Sequence, residues 1–201
     1  MAYYYLVAQL PCLIYEQKPP MSSTAFKDMA KSLMEEKDSE LFDNLSIGDE
    51  KQTSTGCDFI DNWQDWEHTL RLNLAKQRAI KIKRDLPSES PVYSVEPAAA
   101  ASKAIDEYSP LEGEILLDKA RWRAINSLVG SVYFHRNNIY AYYLKLILLE
   151  RRQAFNADIG FTEYKSLYAS ILEDFESVQN AEELRSNSEL QSNSKPLEVQ
   201  Q

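Results

Sequence analysis

Asp61, Asp65 and His68 recur at a spacing of four and three residues, so a helix would carry all three on one face. Two oxygens and one nitrogen in that arrangement could begin a metal site. The same acids also suit the first turn of a helix, where carboxylates favour the helix dipole, and no further ligand set stands elsewhere in the sequence. The second histidine, His135, precedes Arg136 and Asn137 and reads as a loop or cap residue. Cys57 lies beside Asp58 without a histidine at nucleophile spacing, and Cys12 has no CxxC partner. No serine sits in a nucleophile elbow, and no glycine-rich loop is placed to cradle phosphate. The residue types therefore point to no catalytic centre, no cofactor and no metal.

A binding surface is the other chemistry to weigh. The chain has 12 tyrosines, enough for a base-stacking face, but they fall at helical spacing among Leu and Ile and read as core. The formal net charge of -9 opposes nucleic acid and anionic lipid, both of which select clustered Lys and Arg. Local basic groups do exist. Lys76, Arg78, Lys81, Lys83 and Arg84 gather where a helix should end, and Arg151 and Arg152 close another. Cations suit helix C-termini, which explains most of this pattern. Lys81, Lys83, Arg84, Arg151 and Arg152 are also the candidate contacts for an acidic protein partner.

These groups must be carried by helices. Hydrophobic residues make up 44% of the 201, enough for a core, and only 5 glycines argue against a turn-rich β fold. The organising stretch is Asn137 to Phe155. From Ile139 to Leu149 its only charge is Lys145, so a helix here is apolar nearly all round and belongs inside a bundle. It is too short for a membrane span, which takes about 20 largely apolar residues. Asn137 or Asn138 is the expected N-cap.

Other segments should wrap this rod. Tyr3 to Leu10 is two helical turns or a short strand. Ser22 or Ser23 caps a helix through Phe26, Met29, Ala30, Leu33 and Met34, and a shorter helix spans Ser39 to Ile47 before Gly48. Asp61 or Asn62 opens a helix with Trp63, Trp66, Leu70 and Leu74 in one stripe and Glu67–Arg71 as a surface pair. Residues 87–110 hold four of the eight prolines and read as a long loop, with Ala98 to Ala101 beginning a short helix that reaches Tyr108. After Pro110 a helix buries Ile115, Leu116, Trp122, Ile125, Leu128 and Val129 and ends at Gly130. Phe161 to Val178 forms a last amphipathic helix. The expected fold is all-α, a single helical bundle over 1–178, with 87–110 a loop inside it and 179–201 a disordered tail. The apolar start lacks the basic residues of a secretory signal, so the expected location is the cytoplasm.

Three stretches carry a resemblance. They are Tyr3-Tyr4-Tyr5-Leu6-Val7-Ala8-x-Leu10-Pro11, then Trp66-Glu67-x-x-Leu70-Arg71-x-Asn73-Leu74-Ala75-x-x-Arg78-Ala79, and Asn137-Asn138-Ile139-x-Ala141-Tyr142-x-Leu144-Lys145-Leu146 continuing to Leu149-Glu150-Arg151. Together they resemble an uncharacterised bacterial family encoded among the subunits of V/A-type ATP synthases in spirochaetes and Bacteroidetes. That family in turn resembles a reduced C (or d) subunit, the all-helical socket between the rotating central shaft and the membrane ring. The resemblance implies a non-catalytic part of a rotary proton- or sodium-translocating ATPase, with the shaft or ring as partner and a position at the inner face of the cell membrane. A helical assembly factor for the same complex is the alternative. No catalytic residues come with the resemblance.

Overall fold

Residues 3–48, 54–85, 94–107, 109–155, 159–173 and 175 are described by the structure, a computed structural model. Among them the regular elements are helices, with no strand. The chain divides into two units, Met1–Ala154 and Phe155–Gln201.

In the first unit the apolar rod is helix α7, Arg136–Ala154, with Ile139, Tyr140, Ala141, Leu144, Leu146, Leu148 and Leu149 buried. It begins at Arg136, ahead of the expected asparagine caps. Asn138 turns its side-chain amide back to the Val132 carbonyl at 2.7 Å and holds the preceding loop, where Phe134 takes a φ of 64°. Helix α1, Tyr4–Ala8, places Leu6 in the core. Helix α2, Ser23–Leu33, is capped by Ser22, whose hydroxyl accepts from the Ala25 amide at 3.1 Å. Glu150 of α7 reaches the same helix start. It accepts from the Ser23 amide at 2.7 Å and the Ser23 hydroxyl at 2.5 Å, a carboxylate against the positive end of the α2 dipole. Phe26 then lies among the rings of Phe42, Tyr142 and Tyr143.

The helix expected over Ser39 to Ile47 is instead α3, Glu36–Glu40, followed by a 3-10 turn, Leu41–Asn44, that buries Phe42. Helix α4 spans Asp58–Lys81 and starts a turn earlier than Asp61. Asp61 closes the preceding loop: it accepts from the Ser54 hydroxyl at 2.6 Å, the Thr55 amide at 2.8 Å and the Thr55 hydroxyl at 2.7 Å. Helix α6 is Pro110–Val129, ended by Gly130 at φ 74°. Of the six apolar residues expected on its inner face only Ile125 is fully buried. The inner face is Gly113, Leu117, Asp118, Ala120, Arg121, Ala124 and Ile125.

The Pro-rich stretch is less of a loop than its composition suggests. Helix α5 runs from Val95 to Asp106. Pro97 is tolerated because the amide it lacks lies in the first turn, where amides have no partner within the helix. Ala98 to Ala101 are strong helix formers, and Ala101 is buried with Leu70, Leu74 and Leu117. Residues 86–93 and Tyr108 lie outside the described residues. Gly113 is where α6 meets α5, since a Cβ there would stand 2.7 Å from the Ala104 carbonyl oxygen.

In the second unit, 159–173 is helical, and Phe161, Tyr164, Leu167, Tyr168, Ile171 and Leu172 are each exposed, as is Phe175. The stretch read as a disordered tail lies outside the described residues. No helix among the described residues is long and apolar enough to cross a membrane.

Gly113→Ala should destabilise the protein by about 1–3 kcal/mol in urea unfolding, because backbone must move to admit the methyl group. This loss outweighs the roughly 1 kcal/mol that Gly→Ala contributes by helix propensity. Gly160→Ala, where nothing lies within 4 Å of the added carbon, should be neutral or slightly stabilising.

Candidate interaction surface

The apolar side chains of the first unit fall into two clusters. The larger joins α1, α2, the 3-10 turn, the start of α4, the end of α6 and α7. The smaller holds Leu70, Leu74, Ala101 and Leu117. Trp66 packs against both. Charged side chains lie on the same inner faces. Glu67, read from sequence as half of a surface pair with Arg71, is only 3% exposed. Its main partner is Arg121, which donates from Nε at 3.2 and 3.0 Å to its two oxygens and from Nη2 at 2.9 Å. Nη1 of Arg121 donates to Asp118 at 2.8 Å. Arg71 stands farther from Glu67, at 3.9 Å.

The pairing continues outward. Arg151 lies 3.8 Å from Asp118 and 2.6 Å from Glu114, and Arg78 lies 3.9 Å from Glu114. Cations and carboxylates thus alternate from α4 through α6 to α7 and back to α4. Burial alone would lower the Arg121 pKa, but the Glu67 and Asp118 carboxylates outweigh it and hold the guanidinium charged. Burial pushes the Asp118 carboxyl up, countered in part by Arg151 and Arg121.

A second buried polar group sits at the opposite end of α7. Asp38, 5% exposed, accepts from the Tyr3 hydroxyl at 2.6 Å and from Arg136 Nη1 at 2.8 Å. The Tyr140 hydroxyl donates to the Asp38 backbone carbonyl at 2.8 Å. Burial would raise the Asp38 pKa, yet the Tyr3 and Arg136 hydrogen bonds prevail and hold it below its ordinary value. Burial and the same carboxylate push Tyr3 up to about 12. Lys145, the lone charge between Ile139 and Leu149, lies over the Trp122 ring at 5.2 Å, and burial lowers its pKa.

Asp61 is occupied by Ser54 and Thr55, Asp65 is exposed and His68 half-buried. Among the described residues no group of three or more His, Cys, Asp or Glu side chains is placed to hold a metal ion. The His135 ring nitrogen lies 3.5 Å from the Asn137 amide at the start of α7. Cys57 is buried at the start of α4, and Cys12 is exposed.

The five candidate partner contacts separate into two groups. Arg151 belongs to the charge chain. Arg152 lies over the Tyr15 ring at 5.1 Å and 3.8 Å from Glu16. Lys81, Lys83 and Arg84 are exposed together at the end of α4. Lys81 donates to the Ile105 carbonyl at 3.0 Å and so satisfies the end of α5. Lys83 and Arg84 make no ion pair with a described residue, and Lys83 takes a φ of 54° that turns the chain out of the helix. Beside them a depression of about 300 Å³ is lined by Arg78, Lys81, Ile105, Glu107 and Glu114. Periodicity signals the burial of Glu67 and of Arg121, though not their pairing. Glu67 stands four after Trp63 and three before Leu70, and Arg121 four after Leu117 and four before Ile125.

Comparison of the chain with protein-family models, curated proteins and solved structures gives no match.

Asp38 has a depressed folded-state pKa, so its stabilisation is present above the ordinary value of 3.8 and is lost as pH falls through the lower folded value. Asp38→Asn should cost about 1–3 kcal/mol at pH 7. It should also flatten the loss of stability below about pH 4 in an acid-unfolding series. An unchanged slope would remove Asp38 from the acid response.

Proposed function

We propose that this chain is a non-catalytic connector of a V/A-type ATPase, a reduced counterpart of the C/d socket between central shaft and membrane ring. The observation that carries the reading is the resemblance over the N-terminal, α4 and α7 stretches. Support comes from where those residues lie. Tyr3, Leu6, Glu67, Leu70, Leu74, Ile139, Ala141, Leu144, Leu146 and Leu149 are buried, so much of the resemblance falls on scaffold, while Tyr4, Tyr5, Arg71 and Arg78 of the same stretches are exposed. A connector transmits force through such a scaffold and docks through what remains outside. Here that is the basic end at Lys81, Lys83 and Arg84, suited to an acidic face of the shaft or a ring loop. Such a surface contributes more to association rate and orientation than to raw affinity.

Affinity purification of the ATPase from the native host is the test. The proposal expects this chain in the finished enzyme in fixed ratio to the other subunits. It also expects Lys81→Glu, Lys83→Glu and Arg84→Glu together to release the chain while its helical circular dichroism is retained. Recovery of every other subunit without it would refute the connector. Its presence only in subcomplexes would replace the connector with an assembly factor.

A further inference from the structure

Helices α5 and α6 are joined by a short connection and run antiparallel, with Ala104 of the first against Gly113 of the second. Farther from that joint their surfaces leave a cleft of about 410 Å³. Its floor is small and apolar: Ala99 and Ala100 from α5, Leu116 and Ala120 from α6. Val95 extends the apolar surface at one end and is 69% exposed. The lining runs from Val95 to Lys103 on one helix and from Leu116 to Arg123 on the other, about 10–12 Å along each at 1.5 Å per residue. That is two helical turns, the span of apolar side chains at i, i+3 or i+4, and i+7 on a third helix laid in the groove. An alanine floor leaves room for those side chains.

The rim specifies charge. Lys103, Lys119 and Arg123 are exposed around the cleft with Glu96 the one carboxylate among its lining. None of the three cations makes an ion pair or hydrogen bond with a described residue. Elsewhere in the unit Lys27, Lys31, Arg78, Arg121, Arg136, Arg151 and Arg152 each lie within 4 Å of a carboxylate, whereas Lys83 and Arg84 at the end of α4 lie within that distance of none among the described residues. A chain of net charge -9 thus leaves three cations facing one apolar groove. Their stems can cover apolar surface while their heads meet carboxylates at its edge.

We propose that the α5–α6 cleft is a docking groove for an acidic amphipathic helix of another protein, with an apolar stripe two turns long flanked by Asp or Glu. This surface is distinct from the basic end at Lys81 and holds whether or not the complex is a rotary ATPase.

The probe is a stapled peptide of about 14 residues, since an unsupported helix of that length is marginal in water. It carries Leu at i, i+3 and i+7 and Glu beside them; a second peptide has Lys in place of each Glu. Both are titrated into the isotope-labelled full chain and followed by amide chemical shifts. The acidic peptide should perturb amides of α5 and α6 around Ala99 and Ala120, and the basic peptide should not. Lys119→Glu with Arg123→Glu should weaken the acidic peptide by about tenfold or more. Ala99→Trp should block it by filling the floor. Equal binding of both peptides, or no perturbation of the cleft by either, overturns the proposal. So does occupation by laurate alone, or a self-association in sedimentation that the charge-reversed variant abolishes, which would seat a second copy of this chain there.

Discussion

Arg121 is 4% exposed, a guanidinium buried on the inner face of α6. Taking such a charge out of water costs several kcal/mol, so a fold that buries it must supply partners in fixed positions. Glu67 supplies two oxygens from α4, and Asp118 supplies one from a turn earlier on α6. Sliding or rotating α4 against α6 would take Glu67 away from Arg121 and leave Arg121 with Asp118 alone. The pair therefore contributes less as net stabilisation than as a constraint on how these helices meet. A buried polar group fixing a register has precedent as a mechanism, though apolar replacements can be as stable.

The rest of the unit is arranged around that constraint. Arg151 extends it to α7 through Asp118 and Glu114, and Glu150, the neighbouring residue, holds the start of α2. Asp38 performs a similar office at the other end of α7, joining Tyr3, α3 and Arg136. Between these two polar ends lies the greasy middle of the rod, with Tyr140, Leu144 and Leu148 almost wholly buried. The outward features of the unit are a basic helix end and a cation-rimmed groove, on either side of the α5–α6 pair.

Much of this was legible in the sequence, unevenly. The all-round apolar run of α7 is a signal that competing patterns do not mimic, and all-α follows from it and from scarce glycine. Ser22 caps α2 as expected, and α6 ends at Gly130 with a positive φ. The face of α6 is hard to read because most of its large apolar residues are only partly buried while Ala120, Ala124 and Gly113 do the close packing. Pro97 marks a helix start, so a proline count overstates the loop. Glu67 reads as a surface residue because an i, i+4 Glu–Arg spacing satisfies it locally. Its true partner is 54 residues away, and no local rule carries that information. The basic positions divided for the same reason: Arg151 and Lys83 look alike in sequence, and only tertiary packing gives one a carboxylate at 2.6 Å.

A double-mutant cycle on Glu67→Gln and Arg121→Met, read by urea unfolding of the full chain, tests the central constraint most directly. Each single substitution is predicted to cost about 3–5 kcal/mol, because it leaves a buried charge without its partner. The double variant should cost about as much as either one alone, a coupling of several kcal/mol. Single losses below about 1 kcal/mol, or losses that simply add, would show that α4 and α6 are held together without this pair.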